Sequence, residues 1–328
     1  MKSYLLRRFI YMAFLLVAVS LLSFFLVQLP PGDYLTSYIS RLRDTRGMEV
    51  DQAEIDALRL QYGLDRPLVD QYFKWVANML QGDFGRSFAW NMPVSTMINE
   101  RLWITVFTSV LTLLVTYAVA IPIGIYSATR QYSLTDYLFT GLGFAGLAMP
   151  SFFLALILMY YLSRYTGLSV GGLYSPQFMD QPMSMAKFGD MLTHIPVLII
   201  AVGMAGMASL IRIIRSGVLD ELKKQYVTAA RSKGLSESRL LLKYPVRLAL
   251  NPVVSTIGWV LPGIVSGATV TAIVMNIPTI GSLLYESLLA QDTYVAGACI
   301  MLLSFLTVVG MFISDILLVM VDPRIRYT

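Results

Sequence analysis

In the second half of this sequence, the charged side chains that could be used for chemistry are concentrated in one stretch. Nine lysine and arginine residues lie between Arg212 and Arg247, against three acids, Asp220, Glu221 and Glu237. Apolar sequence long enough to cross a membrane flanks the stretch on both sides. A charged segment between two membrane spans is expected to dock on another surface. The alternative is an ordinary loop that is basic only because of the positive-inside rule. We call residues 213–247 the basic segment.

Residue types that build catalytic or metal sites are scarce. The chain has one cysteine, Cys299, and one histidine, His194, which excludes a disulfide framework and a Cys/His metal cluster within it. Cys299 is expected to be a small buried residue, and His194 to be a packing residue at the edge of a span. The sequence contains no G-x4-GK[ST] or H-E-x-x-H motif. We therefore expect no enzyme activity, no metal site and no cofactor in this chain.

The local pattern of the basic segment predicts two short helices around a glycine turn. The first predicted helix has apolar or small residues at every fourth position, at Val218, Leu222, Tyr226 and Ala230. Gly234 then stands where a left-handed residue ends a helix, and Ser236 can cap the next one. The second helix has the same spacing, at Leu240, Tyr244 and Leu248.

The elements around the basic segment are those of an all-α integral membrane protein. Of 328 residues, 56% are hydrophobic and 14% are charged, where a soluble domain has about 25% charged residues. Mean hydropathy is +0.65. Six apolar runs are predicted to be transmembrane helices: 9–29, 102–129, 137–162, 191–211, 253–275 and 294–320. The first run is longer than the apolar core of a signal peptide, so we expect it to be retained.

The predicted domains follow from changes in composition. Residues 1–30 form the N-terminal transmembrane helix, and 31–100 form a small extracytoplasmic domain with helices at 51–62 and 68–80. Residues 101–328 form a core of five further transmembrane helices. With both termini on the cytoplasmic side, most lysines and arginines lie inside, as the positive-inside rule requires. The net charge of +5 is explained in this way and does not indicate nucleic-acid binding.

Asp315 is the one acid within a predicted span, close to its inner end. The cost of a charge there is well below the roughly 3 kcal/mol of the membrane centre. A structural ion pair or hydrogen bond is favoured over a role in a proton relay, which stays open as the alternative.

The order Thr228-Ala229-Ala230-x3-Gly234-Leu235-Ser236 resembles the "EAA" loop of ABC importer permeases. Tyr226 to Gly234 and the C-terminal run Asp322 to Tyr327 resemble the first permease subunit of the oligopeptide, dipeptide and nickel branch. Thr228 stands where the motif often has glutamate. The resemblance implies that the loop docks on a partner ATPase through Tyr226, Thr228, Ala229, Ala230, Arg231, Lys233, Gly234, Leu235, Ser236, Glu237 and Arg239.

Segments predicted to face outward carry the same resemblance. Ile277 to Gly281 resembles a W-P-G-L-G turn, which implies an extracytoplasmic turn at Pro278 and Gly281. Ile277 replaces the tryptophan, and Ala272 stands where a glutamate is common. The Pro-Pro-Gly-Asp element after the first span and Gly82 to Ser87 also resemble this family.

The resemblance implies a permease of a binding-protein-dependent importer in a bacterial or archaeal inner membrane. Its expected partners are the lipid bilayer, a second non-identical permease, two cytoplasmic ABC ATPases and an extracytoplasmic substrate-binding protein. ATP and Mg²⁺ would bind to the ATPases. Small peptides or oligosaccharides are the expected substrates, with nickel, or an ion-coupled secondary transporter, as alternatives. The expected mechanism is alternating access.

The topology can be tested by cysteine labelling in intact cells. Ser37→Cys should react with a membrane-impermeant thiol reagent added outside, and Ser238→Cys should react only after the membrane is opened. Labelling of Ser238→Cys from outside in intact cells would contradict the predicted arrangement.

Overall fold

The computed structural model describes residues 2–28, 66–87, 89–167 and 170–321. The predicted helix at 51–62, the Pro-Pro-Gly-Asp element and the C-terminal run Asp322 to Tyr327 lie outside these ranges. The described part contains α1 (Lys2–Gln28), α2 (Leu68–Leu80), α3 (Val94–Thr129), α4 (Leu134–Ala148), α5 (Ser151–Thr166), a 3₁₀ turn (Pro176–Phe178), α6 (Met185–Leu222), α7 (Gln225–Ser232), α8 (Glu237–Lys243), α9 (Pro245–Ser255), α10 (Ile257–Val274), α11 (Ile280–Leu289) and α12 (Thr293–Val321).

The described helices are consistent with the predicted all-α membrane protein. Four stretches are long and apolar enough to cross a membrane: Leu6–Phe25 in α1, all of α3 and α6, and Thr293–Val319 in α12. The bent pair α4 and α5 gives a fifth candidate if it counts as one span. The predicted helix at 68–80 is confirmed as α2.

The predicted third span, 137–162, is wrong as a single helix. The chain breaks at Met149 and Pro150, and the axes of α4 and α5 differ by 112°. Proline lacks an N–H and pushes the residue before it out of the helical region. Met149 accordingly has φ −95° and ψ 133°.

The predicted fifth span, 253–275, does not begin where the sequence suggested. Residues 253–255 belong to α9, and α10 begins after Thr256. The Thr256 hydroxyl donates to the Val253 carbonyl at 2.6 Å and lies 2.7 Å from the Tyr117 hydroxyl. These contacts fix the junction between the two helices.

One compact unit comprises the described residues of Met1–Phe9, Ile104–Ser282 and Thr307–Thr328, and α6 runs through its core. The N-terminal half of α6 contributes Met191, Ile195, Leu198 and Val202 to a buried cluster with residues of α3, α5 and α10. Its C-terminal half contributes Leu210, Ile214 and Val218 to a second cluster with residues of α3 and α9. A Cβ atom on Gly124 would lie 2.8 Å from the Ile214 side chain, so α3 and α6 are in close contact there.

Polar contacts fasten the loop before α6 to its first turns. The Asp190 carboxylate accepts hydrogen bonds from the Ser175 hydroxyl at 2.6 Å and the Ser175 N–H at 2.7 Å. His194 is buried, and its Nε2 lies 3.2 Å from the Ser175 hydroxyl, so it packs and hydrogen-bonds at once. The Lys187 ammonium donates to two loop carbonyls, at Met179 and Gln181.

The predicted ion pair of Asp315 is confirmed. The Arg8 Nε lies 3.3 Å from the Asp315 carboxylate, so α1 and α12 are joined near their ends. An arginine partner lowers the cost of placing a carboxylate in a membrane-spanning helix.

The second compact unit comprises the described residues of Ile10–Trp103 and Leu283–Leu306. Within it, the Tyr72 hydroxyl of α2 lies 2.7 Å from the Ser20 hydroxyl of α1. The side chains of Arg101 and Glu286 form a salt bridge at 3.0 Å. Cys299 is fully buried, as expected.

The turn at residues 82–87 is fixed to the start of α12. The buried Asp292 carboxylate accepts hydrogen bonds from the Ser87 hydroxyl at 2.6 Å, the Ala89 N–H at 3.0 Å and the Val295 N–H at 3.2 Å. Gly85 has φ +81°, and a Cβ there would lie 2.9 Å from the Tyr294 ring. The glycine is therefore required by both its conformation and its neighbour.

Replacing Asp292 should destabilise this unit more than replacing Asp83, an exposed aspartate in the turn at residues 82–87. Asp292→Ala leaves three donors without their acceptor and should reduce the free energy of unfolding by about 1–3 kcal/mol. Asp83→Ala loses one exposed hydrogen bond, to the Gly85 N–H, and should change it by roughly 0.5 kcal/mol or less. Thermal unfolding of both purified variants in detergent checks this, and equal melting temperatures would contradict it.

Candidate functional site

The basic segment is built from the end of α6, the short helices α7 and α8, and the start of α9. The predicted continuous helix from Val218 to Ala230 is wrong, because the chain breaks between Leu222 and Gln225. Lys224 is extended, with φ −74° and ψ 146°. Its N–H donates to the Glu221 carbonyl, so α6 ends in a tight turn and α7 starts in a new direction.

The predicted glycine turn is confirmed. Gly234 has φ +77°, and its N–H donates to the Arg231 carbonyl at 3.0 Å. A non-glycine residue in this conformation costs on the order of 1 kcal/mol. Ser236 occupies the N-cap of α8, where its carbonyl accepts from the Leu240 N–H, but its side chain makes no capping bond. Apart from its two chain neighbours, a Cβ on Gly234 would meet no atom of the described residues within 4 Å.

Apolar side chains of α7 and α8 pack against each other, although Leu242 of α8 is 63% exposed. Val227 and Leu240 are fully buried, and Ala230 is 7% exposed. Around these three lie the partly buried side chains of Leu222, Tyr226, Leu235 and Tyr244. These apolar residues therefore pack α7 against α8 and against the last turn of α6, instead of forming a docking surface.

Polar side-chain contacts also hold the short helices of the basic segment together. The Arg231 guanidinium donates to both oxygens of Glu237, at 2.6 and 3.1 Å, which keeps the pKa of Glu237 below its ordinary value. Both side chains are solvent-exposed, so water and salt screen the pair. The Tyr226 hydroxyl donates to Glu221 at 2.5 Å. Burial, with Glu221 nearby, raises the pKa of Tyr226 to about 12, so it remains a neutral donor at physiological pH.

The predicted site residues therefore divide into two groups. Tyr226, Ala230 and Leu235 face the internal cluster. The others are exposed and form what we call the outward face: Thr228, Ala229, Arg231, Lys233, Gly234, Ser236, Glu237 and Arg239. Ala229 and Gly234 leave this face without bulk near the turn, whereas Lys233 and Arg239 give it positive charge. It can receive a close, complementary surface.

The turn at Pro278 and Gly281 is a tightly packed structural element. The Thr279 N–H donates to the Ser282 hydroxyl and the Ser282 N–H donates to the Thr279 hydroxyl, a reciprocal cap for α11. A Cβ on Gly281 would lie 2.3 Å from the Thr269 hydroxyl oxygen. Pro278 is half-buried, and Ala272 is fully buried.

The buried charged pair of Arg215 and Asp136 was not predicted from the sequence. Arg215 donates two hydrogen bonds to the carboxylate of Asp136, which is buried. The two residues are 79 positions apart, and neither lies in a motif that predicts the other. Within the described ranges, no three His, Cys, Asp or Glu side chains are grouped so as to hold a metal ion.

Comparison with known proteins covers nearly the whole chain. The family of binding-protein-dependent transport system inner membrane components matches residues 120–327, and the corresponding N-terminal family matches residues 1–111.

Full-length relatives agree with these matches. The oligopeptide transport system permease protein AppB of Bacillus subtilis is 34% identical over 329 residues, covering 100% of both chains. The dipeptide transport system permease protein DppB of Lactococcus lactis is 31% identical over 330 residues, covering 99% of this chain and 100% of that protein. A putative peptide permease protein of Brucella ovis is 34% identical over 339 residues, again covering 100% of both.

Adjacent alanines of α7 should respond differently to the same substitution. Ala230→Glu places an unpaired charge in the internal cluster and should open α7 and α8, whereas Ala229→Glu should leave them folded. Amide hydrogen exchange measures the effect, and we expect loss of protection across both helices for Ala230→Glu alone. Equal protection in the two variants would contradict the packing described.

Proposed function

The chain belongs to the family of binding-protein-dependent transport system inner membrane components and is a permease subunit of an ABC importer; from that premise we propose that its basic segment couples partner ATPases to the membrane spans. The observation that carries the proposal is the Gly234 turn, which joins two short helices closed on an internal apolar cluster. Because its short helices pack on one cluster, a partner could displace the segment as a single unit.

The outward face supports docking rather than a freely solvated loop. Among the residues that the structure describes, none except the two chain neighbours lies within 4 Å of a Cβ on Gly234, and nearby Ala229 is exposed. Ala229 and Gly234 are small, and their backbone is held by the turn. A partner could therefore approach this face closely.

The energy for transport comes from partners in this proposal. The sequence contains no phosphate-binding loop, so ATP and Mg²⁺ would bind to two cytoplasmic ABC ATPases. A second, non-identical permease would supply the other half of the pathway, and an extracytoplasmic protein would deliver the substrate. The family is described as binding-protein-dependent, which supports the extracytoplasmic binding protein as a partner.

We place six spans in the inner membrane, with both termini and the basic segment in the cytoplasm. The four long apolar helices and the bent pair α4–α5 support five of these spans, and α10 is the sixth. Residues 31–100 would then lie outside as a small domain. The excess of lysine and arginine in the basic segment supports this orientation.

Small peptides are the proposed substrates. The relatives from Bacillus and Lactococcus carry names for oligopeptide and dipeptide transport, and both align over nearly the full length of this chain. In the proposed cycle, ATP binding closes the ATPases and displaces the basic segment. The spans then change between inward and outward access.

Substitutions of Gly234 separate backbone strain from contact with a partner. Asparagine tolerates the left-handed conformation better than valine, but both add side-chain atoms to a face that is open in this chain. We expect both Gly234→Asn and Gly234→Val to lower peptide uptake per ATP hydrolysed in the reconstituted importer, with normal insertion. If Gly234→Asn retains normal coupled uptake while Gly234→Val does not, strain alone explains the glycine and the docking proposal fails.

A bulky charge on the outward face should uncouple transport without unfolding the segment. Ala229→Glu should reduce uptake per ATP, and Lys223→Ala, which removes an exposed charge at the end of α6, should leave uptake unchanged. Uptake of a labelled dipeptide and ATP hydrolysis are measured in proteoliposomes with matched protein content. Equal coupling in the two variants would contradict docking through this face.

A further inference from the structure

We propose that Asp136 and Arg215 are positioning residues for coupled transport, because their ion pair fastens the start of α4 to the C-terminal half of α6. Helix α4 would then follow α6 when the basic segment is displaced. This inference rests on the proposed coupling role of the basic segment and adds the connection by which displacement reaches another membrane helix.

The hydrogen bonds of Asp136 fix the start of α4 against Arg215 of α6. We call this ion pair the joint. Arg215 donates from Nε to one carboxylate oxygen at 3.2 Å and from Nη2 to the other at 2.9 Å. The Tyr132 N–H adds a third hydrogen bond at 3.0 Å. Asp136 is 3% exposed. A two-pronged arginine–carboxylate pair fixes orientation as well as distance, which a lysine would not do.

The other contacts between α4 and α6 are close, but they bury little apolar area. The described side chains of α4 include two buried residues, Asp136 and Gly146. A Cβ on Gly146 would lie 2.5 Å from the Met204 side chain, and one on Gly143 would lie 3.4 Å from the Ala208 Cβ. Glycines permit close approach but bury little apolar area of their own. Among the described contacts, the Asp136–Arg215 ion pair is the charge-assisted one that holds the base of α4 on α6.

Arg215 is well placed to receive movement from the basic segment. Helix α6 is continuous from Met185 to Leu222, and Arg215 lies seven residues before its end, about 10 Å along the axis. Leu222 packs in the internal cluster of the basic segment. Gly217 lies against Ala249 of α9. A force on α7 and α8 is thus transmitted through packed side chains and an unbroken helix to the joint.

A pair that only stabilises the fold would make the same contacts, so the test needs a readout beyond stability. The complete importer is reconstituted with Asp136→Asn, Arg215→Lys or Arg215→Gln, and peptide uptake is divided by ATP hydrolysed. We expect Asp136→Asn and Arg215→Gln to lower this ratio roughly 2- to 30-fold, the range found for changes along a coupling network. Arg215→Lys should restore part of the ratio, and Asp136→Asn with Arg215→Gln should be no worse than either alone. A purely structural pair would lower the amount of assembled importer and leave the ratio unchanged, which would overturn the proposal.

Distance measurement tests the joint without breaking it. Spin labels on Leu138→Cys of α4 and Ser216→Cys of α6, both exposed, are introduced with Cys299→Ala, and the distance is measured in the assembled importer with and without trapped nucleotide. We expect one unchanged distance in both states, and a shifted or broader distribution after Asp136→Asn. If the distance changes on trapping with the pair intact, α4 does not follow α6 and the proposal is wrong.

The two proposals fail in different ways. If the outward face does not dock, Ala229→Glu transports normally. If the Asp136–Arg215 joint does not position α4, Ala229→Glu remains impaired while Asp136→Asn keeps a normal ratio of uptake to hydrolysis.

Discussion

The unbroken backbone of α6 is the constraint on which the rest of the described structure depends. One helix, Met185–Leu222, packs by its N-terminal half in one apolar cluster, by its C-terminal half in a second, and by Leu222 in the cluster of the basic segment. Because a helix resists compression, a displacement at one end is transmitted along it, unless it is absorbed in its contacts or by bending at Pro196 in its interior. The Asp136–Arg215 pair and the contact of Gly217 with Ala249 decide which neighbours follow.

The division of the basic segment into an internal cluster and an outward face has a physical consequence for coupling. Val227, Leu240 and their apolar neighbours stabilise the segment itself, so the outward face that we propose to dock consists of small and polar residues. Ala229 and Gly234 would then lie close to a partner while exposing little side-chain area of their own before assembly. The screened Arg231–Glu237 pair adds orientation to the turn rather than much stability.

The sequence predicted elements with local signals and missed those that depend on distant partners. Gly234 was predictable because a glycine between two amphipathic patterns indicates a left-handed turn. The break at Lys224 was not, because the spacing of four continues across it: Leu222 before the break and Tyr226 and Ala230 after it pack in the same cluster, which gives the sequence pattern of one helix. Pro150 was present in the sequence, but a proline within a span also occurs in unbroken helices. The Asp136–Arg215 pair joins residues 79 positions apart and has no sequence signature, so only the fold brings it together.

The central claim is that the outward face of the basic segment lies against a partner ATPase, and photocross-linking tests it most directly. A photoreactive residue is placed at Ala229, on the outward face, and for comparison at Leu138, which is exposed on α4. Both importers are illuminated in membranes, and the products are identified by mass. The account predicts an adduct between this chain and the ATPase from Ala229 and none from Leu138. An importer that is active and assembled but gives no ATPase adduct from Ala229 would contradict it.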